Sequence, residues 1–264
     1  MATVPTPSLR DKLDIIANRH RESVQTLRTF VSETLKNFLA SSDNWYRILQ
    51  DQMTHAAMGG TLPPLRSSAT LGVPPVDMQR EIVERLQKAQ EDFLRMRKDF
   101  PGLLLEMALI YRVALFDAFL ADVIAAVLGT LTPTEAQMAP LVETMTKWAE
   151  RESGKGNIRN QASWIRDNFG LEIFTDEAQC GAVDELMERR NLYVHGNGLV
   201  NEKYARRFPS LPYTIGQRLF VDNGYWAVSD QHLQMVSEAF VYKVLTKFCP
   251  PLPTTSTASP TPPP

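Results

Sequence analysis

Leu103-Leu-Leu-Glu-Met-Ala-Leu-Ile-Tyr-Arg-Val-Ala-Leu-Phe-Asp-Ala-Phe-Leu-Ala-Asp-Val-Ile-Ala-Ala-Val-Leu128 is the stretch that decides the fold class. It is apolar nearly all round, as a helix at the centre of a bundle must be. It is also long enough to cross a bilayer, but Glu106, Arg112, Asp117 and Asp122 interrupt it. Each of those charges is costly in hydrocarbon. The stretch therefore reads as a buried core helix whose charges must find partners. Pro101 precedes it, and Gly129 and Pro133 close it.

On the C-terminal side, helices are expected over residues 134–152 and, shorter, over 158–168. Thr175 stands where a cap belongs, before Asp176 and Glu177, anions suited to a helix N-terminus. Gly196 and Gly198 end that helix. Residues 218–221 and 225–228 flank Asp222-Asn-Gly224, a strong short-range signal for a β-hairpin. Ser229 is then placed to cap a last amphipathic helix carrying Leu233, Val236, Phe240, Val244 and Phe248. Residues 101–249 thus read as an all-α helical bundle with one small β-hairpin.

On the N-terminal side, Ser8 is a candidate N-cap with Asp11 at N3. Leu13, Ile16, His20, Val24, Leu27 and Val31 follow at steps of three and four. Ile82, Leu86, Ala89, Phe93, Met96 and Phe100 alternate four and three, the heptad spacing. Between the two runs, residues 59–75 hold paired glycines and prolines that forbid a continuous helix. Residues 1–100 therefore read as a long helical hairpin with a Pro/Gly linker, a packing or dimerisation arm. His20, on its apolar stripe, reads as an interface histidine. Residues 250–264 hold seven of the 18 prolines and almost nothing to bury, and read as a disordered tail.

Composition agrees with an ordinary globular chain: 264 residues, 44% hydrophobic, 22% charged and a formal net charge of −2. Two cysteines, Cys180 and Cys249, are too few for a disulfide framework. The first residues lack the apolar core of a secretory signal, so a cytoplasmic chain with no membrane partner is expected. Histidines at 20, 55, 195 and 232 give no metal-ligand spacing, and no metal or other cofactor is expected. Gly154-Lys-Gly156 lacks the rest of a phosphate-binding loop.

Chemistry concentrates in Glu188-Arg-Arg-Asn-Leu-Tyr-Val-His-Gly-Asn-Gly-Leu-Val200. Arg190 follows Val183, Leu186 and Met187 by seven, four and three residues, which carries a guanidinium onto the buried stripe of that helix. Asn191 is beside it, and His195 sits at the glycine-rich helix end. Arginine, amide and imidazole together suit a phosphodiester, by neutralising charge, positioning an oxygen and moving protons. The same residues also suit a structural arginine and a histidine that caps carbonyls. Both readings stand on spacing alone. Around them Arg189, Arg190, Lys203, Arg206 and Arg207 outnumber one acid, Glu202, as a phosphate-binding patch would. Lys147, Arg151, Lys155 and Arg159 form a second basic run, which reads equally well as a solvated surface.

Arg190-Asn-Leu-Tyr-Val-His195 resembles the signature of the HEPN superfamily, an arginine and a polar residue followed closely by histidine. The flanking Glu188 and Arg189, the segment from Gly196 to Tyr204, and the Tyr111–Ile124 pattern with Asp117 resemble the family too. The likeness covers residues 101–249. It implies an all-α HEPN-like bundle, and many such domains are metal-independent endoribonucleases of toxin–antitoxin and phage-defence systems. By resemblance His195 is the general acid/base, Arg190 the phosphate stabiliser and Asn191 the orienting polar group. Asp117, Glu188 and Arg189 then support the site, and Lys203, Arg206 and Arg207 hold RNA. The partners implied are RNA, a second copy of the chain in a homodimer, and an antitoxin or regulatory protein. A non-catalytic HEPN-like module that binds RNA, nucleotide or protein is the alternative. Asn197 occupies a position where some family members carry tyrosine, which weakens the link to their nucleotide-modification systems.

Overall fold

The computed structural model describes residues 7–57, 76–129 and 158–249. Among them are six helices: α1 (Leu9–Ala57), α2 (Val76–Leu128), α3 (Ile158–Phe169), α4 (Glu177–Gly196), α5 (Glu202–Arg207) and α6 (Asn223–Phe248). The described residues contain no strand, only an isolated antiparallel bridge between Leu199 and Arg218. The all-α class stands. No described helix is long and apolar enough to cross a membrane. The linker at 59–75, the helix expected at 134–152, the basic residues 147, 151 and 155, and the tail at 250–264 lie outside the described residues.

Compact packing divides the chain into two units, one of residues 1–24, 110–219 and 227–264, the other of residues 25–109 and 220–226. The division runs through both long helices and not at Pro101, where α2 continues without a break. In the second unit, Phe38 stacks on Phe100 with ring centroids 4.2 Å apart, and Asp43 accepts from Arg97. That pairing makes its α1 and α2 segments an antiparallel hairpin.

In the first unit, α1 begins as its sequence suggests. The Asp11 carboxylate accepts from the Ser8 N–H at 3.0 Å, and Ser8 Oγ accepts from the Asp11 N–H at 3.2 Å, a reciprocal capping box. Leu13 of α1 and Val113, Phe116, Leu120 and Val123 of α2 are fully buried, as are Val183 of α4 and Leu233, Val236 and Phe240 of α6. Inside this core Arg112, with no exposed surface, donates through Nε to Asp230 Oδ1 at 2.7 Å. Asp117 is half-buried and Asp122 exposed, so only part of the helix's charge is drawn inside.

Two local expectations fail for one reason, the capture of backbone N–H groups by aspartate. Thr175 does not cap α4; Asp176 does, accepting from the Gln179 N–H at 2.7 Å. Asp222-Asn-Gly224 is not a hairpin turn. Asp222 Oδ1 accepts from the Tyr225 N–H at 2.7 Å and its carbonyl from the Trp226 N–H at 2.9 Å, so residues 225–228 are helical and α6 begins six residues before Ser229. The extended run at 218–219 pairs instead with the segment after α4, through Leu219 N–H to the Gly198 carbonyl and Val200 N–H to the Gln217 carbonyl, both at 2.9 Å.

His20 is the interface histidine the spacing implies. Its ring lies 4.5 Å from the Phe119 ring, and a ring nitrogen is 3.4 Å from Ser237 Oγ. Burial, reinforced by the nearby Arg112 and opposed by Asp230, pushes its pKa down to about 4. Between pH 6.5 and 4 the unfolded chain therefore binds this proton and the folded chain does not. The contribution is present in full above pH 6.5 and is lost as the pH falls toward 4. Because the ring is partly solvated, about 1–2 kcal/mol is expected, less than the full shift would give. Urea unfolding midpoints should fall across that window, and His20→Gln should flatten the fall.

Candidate functional site

The site is built on the last three turns of α4 and the sharp turn that follows. Asn197 adopts a left-handed conformation at φ 52°, and the N–H groups of Asn197 and Gly198 both donate to the Leu192 carbonyl. This closes the helix and sends the chain back alongside it. Gly198 has φ 73°, and a Cβ there would lie 2.7 Å from the Tyr193 ring. Gly198→Ala is expected to cost on the order of 1–3 kcal/mol from the strained backbone alone, read as a lowered melting temperature.

Glu188, Asn191, Leu192 and His195 fall at steps of three, four and seven, so they share one face of α4. With Asn201 and Lys203 they line a cavity of about 200 Å³. His195 is exposed at its mouth. Asn201 is there because it caps α5, its side chain accepting from the Tyr204 N–H at 2.9 Å. The sequence carried that signal, an Asn-Glu-Lys-Tyr helix start just past the motif, but Asn201 was not among the expected site residues. Arg190 does not line the cavity. It is half-buried, its Nη1 donating to Asn191 Oδ1 at 3.1 Å, while its buried Nε has no hydrogen-bond partner among the described residues.

The inward cation of α4 is Arg189, not Arg190. Arg189 is 2% exposed, donates to Glu185 Oε1 at 2.7 Å and to the Tyr213 hydroxyl at 3.2 Å, and lies over the Tyr213 ring. Tyr204 donates its hydroxyl to the same Glu185. Burial, with the Glu185 charge adding, pushes the Tyr204 phenol above its usual range. The buried stripe runs through Cys180, Val183, Leu186, Arg189 and Tyr193, with Met187 only half-buried, which turns Arg190 to the flank.

The basic patch is largely neutralised. Lys203 Nζ donates to both Glu188 oxygens at 2.9 Å. Arg207 donates to Asp184 from Nε at 2.9 Å and Nη2 at 2.7 Å, and to Glu188 at 3.0 Å. Arg159 reaches Asp184 and Glu177. Arg206 is exposed, 3.8 Å from Glu202. Asp117 does not line the cavity. Among the described residues no three His, Cys, Asp or Glu side chains cluster as metal ligands.

Comparison with protein-family models, curated proteins and solved structures finds no match to this chain. The functional reading rests on the site itself. Its chemistry is an imidazole and a carboxamide facing one small cavity, an ammonium held at the rim by Glu188, and a guanidinium hydrogen-bonded to the carboxamide from outside.

Proposed function

We propose that the chain is a metal-independent endoribonuclease of the HEPN type, an effector of the toxin or phage-defence kind that leaves 2′,3′-cyclic phosphate ends. The observation that carries this reading is the shared cavity of His195 and Asn191, with Arg190 bonded to the Asn191 oxygen. In the reaction an RNA 2′-hydroxyl attacks its own adjacent phosphorus, the bond to the 5′-oxygen breaks, and His195 moves the proton. Asn191 orients a phosphate oxygen, and a guanidinium stabilises the charge of the pentacovalent state. With Nη1 on its Oδ1, the Asn191 amide is set to present its N–H groups to that oxygen.

A second reading, a non-catalytic HEPN-like module for RNA, nucleotide or a protein partner, is favoured by the commitment of Lys203 and Arg207 to Glu188 and Asp184. One experiment separates the two. Purified chain is incubated with mixed cellular RNA in excess EDTA. Cleavage to cyclic phosphate ends that disappears in His195→Ala supports the enzyme. Intact RNA with retained binding supports the module.

A further inference from the structure

A second cavity, of about 180 Å³, lies within the first unit, lined by α1, by Phe119 of α2 and by α6. Protein interiors are ordinarily packed without such voids. Two small residues open this one. Ala17 stands on the buried stripe of α1 with Leu13 and Val24, and Ser237 on that of α6 with Leu233, Phe240 and Val244. Phe119, Val241 and Leu245 give the cavity apolar walls. Arg21 and Glu238, both exposed, stand at its mouth with charges that cancel. Each is held along its own helix: Arg21 Nη1 donates to Asn18 Oδ1 at 2.7 Å, and Glu238 Oε1 accepts from Gln234 Nε2 at 2.8 Å.

The polar groups inside are His20 and Ser237, and their bonding decides what they can offer a bound molecule. Ser237, 3% exposed, spends its hydroxyl hydrogen on the Leu233 carbonyl at 2.7 Å. Toward His20, 3.4 Å away, its oxygen can only accept, so the imidazole proton sits on Nε2. Nδ1 keeps its lone pair and has no hydrogen-bond partner among the described residues. The ring is uncharged at neutral pH, because burial pushes its pKa down to about 4. An apolar room with one neutral acceptor selects against ions, which would lose their water and gain no counter-charge. It suits a neutral molecule with an apolar body and a single donor. Volume sets the size of that body, since an apolar void of about 150 Å³ holds one benzene ring. The Phe119 ring, 4.5 Å from the imidazole, makes one wall aromatic.

We propose that this cavity binds a small neutral phenol, a single aromatic ring whose hydroxyl donates to His20 Nδ1 while the ring packs against Phe119, Val241 and Leu245. None of these residues lines the cavity on α4, so the proposal holds or fails apart from the ribonuclease reading.

The test titrates the full chain, isotopically labelled at its histidine nitrogens, with phenol, with toluene (a methyl in place of the hydroxyl) and with benzoate. Phenol is expected to saturate one site with a dissociation constant on the order of 0.1–1 mM. It should move the Nδ1 resonance of His20, identified by its absence in His20→Phe or His20→Gln, and toluene should not. Benzoate should not bind measurably. His20→Phe should weaken phenol about five- to tenfold and leave toluene nearly unchanged, the effect of one lost hydrogen bond. Ala17→Leu, which fills the void, should abolish both. Absence of saturable phenol binding overturns the proposal, as does saturation that leaves the His20 resonance in place. Benzoate binding as tightly as phenol overturns it too, and so does phenol binding that survives Ala17→Leu. Should either variant lose its helical circular dichroism, the resonance shift and the benzoate comparison decide on wild type alone.

Discussion

Replacing Asp230 by alanine is expected to destabilise the first unit by about 3–5 kcal/mol, a large part of what holds a domain of this size folded. Arg112 has no exposed surface, and its Nε donates to Asp230 at 2.7 Å. The alanine variant takes from that guanidinium the carboxylate its Nε donates to, in a core where it has no exposed surface. The attraction itself contributes less than its loss suggests, because both ions were desolvated to form it. Arg112→Met with Asp230→Leu should therefore recover most of the stability, and the double-mutant cycle should show strong coupling. Urea unfolding followed by circular dichroism measures all four proteins. A single-variant loss below about 1 kcal/mol would contradict the account. Arg112 also holds down the pKa of His20.

That pair marks the boundary of what the sequence can express. A charge on the greasiest helix announces that a partner exists, but Asp230 lies 118 residues away and no local pattern names it. The Ser8–Asp11 box was legible because both members fall within one turn. Asp222-Asn-Gly224 was misread because an aspartate before a glycine serves a hairpin turn and a helix cap alike. What chose between them was distant. Gln217 and Leu219 have their backbone partners at Val200 and Gly198, which leaves residues 225–228 to the helix.

The site was legible in its residues and less so in its directions. Glu188, Asn191 and His195 follow from helical spacing as soon as α4 is drawn. Spacing points to Arg190 as the inward arginine only because Met187 is apolar, and Met187 is half-buried while Arg189 lies in the core. The basic patch was overstated because counting between residues 189 and 207 stops short of Asp184 and Glu188. These acids lie upstream in sequence, yet in space they are the partners of Lys203 and Arg207. Charge read along a chain window and charge read around a helix give different totals.

Arg190 and His195 are expected to act on one phosphate only when they come from different chains. They are five residues apart on a helix that runs unbroken to Gly196, which turns their side chains about 140° from each other. His195 lines the cavity and Arg190 does not. If two copies of α4 face each other across a two-fold axis, the guanidinium of one can serve the cavity of its partner. His195→Ala alone should lower RNA cleavage by about 10²–10⁴-fold through loss of proton transfer. Arg190→Ala alone should lower it by about 10²–10³-fold through loss of charge stabilisation. Mixing the two dead proteins gives hybrid dimers with one intact composite cleft and one doubly defective cleft. Half of all dimers are hybrids, so about a quarter of wild-type activity should return. If each cleft instead drew both groups from its own chain, every cleft in a hybrid would still lack one of them. Activity would then stay at the level of the single variants, and the cross-chain arrangement would fall.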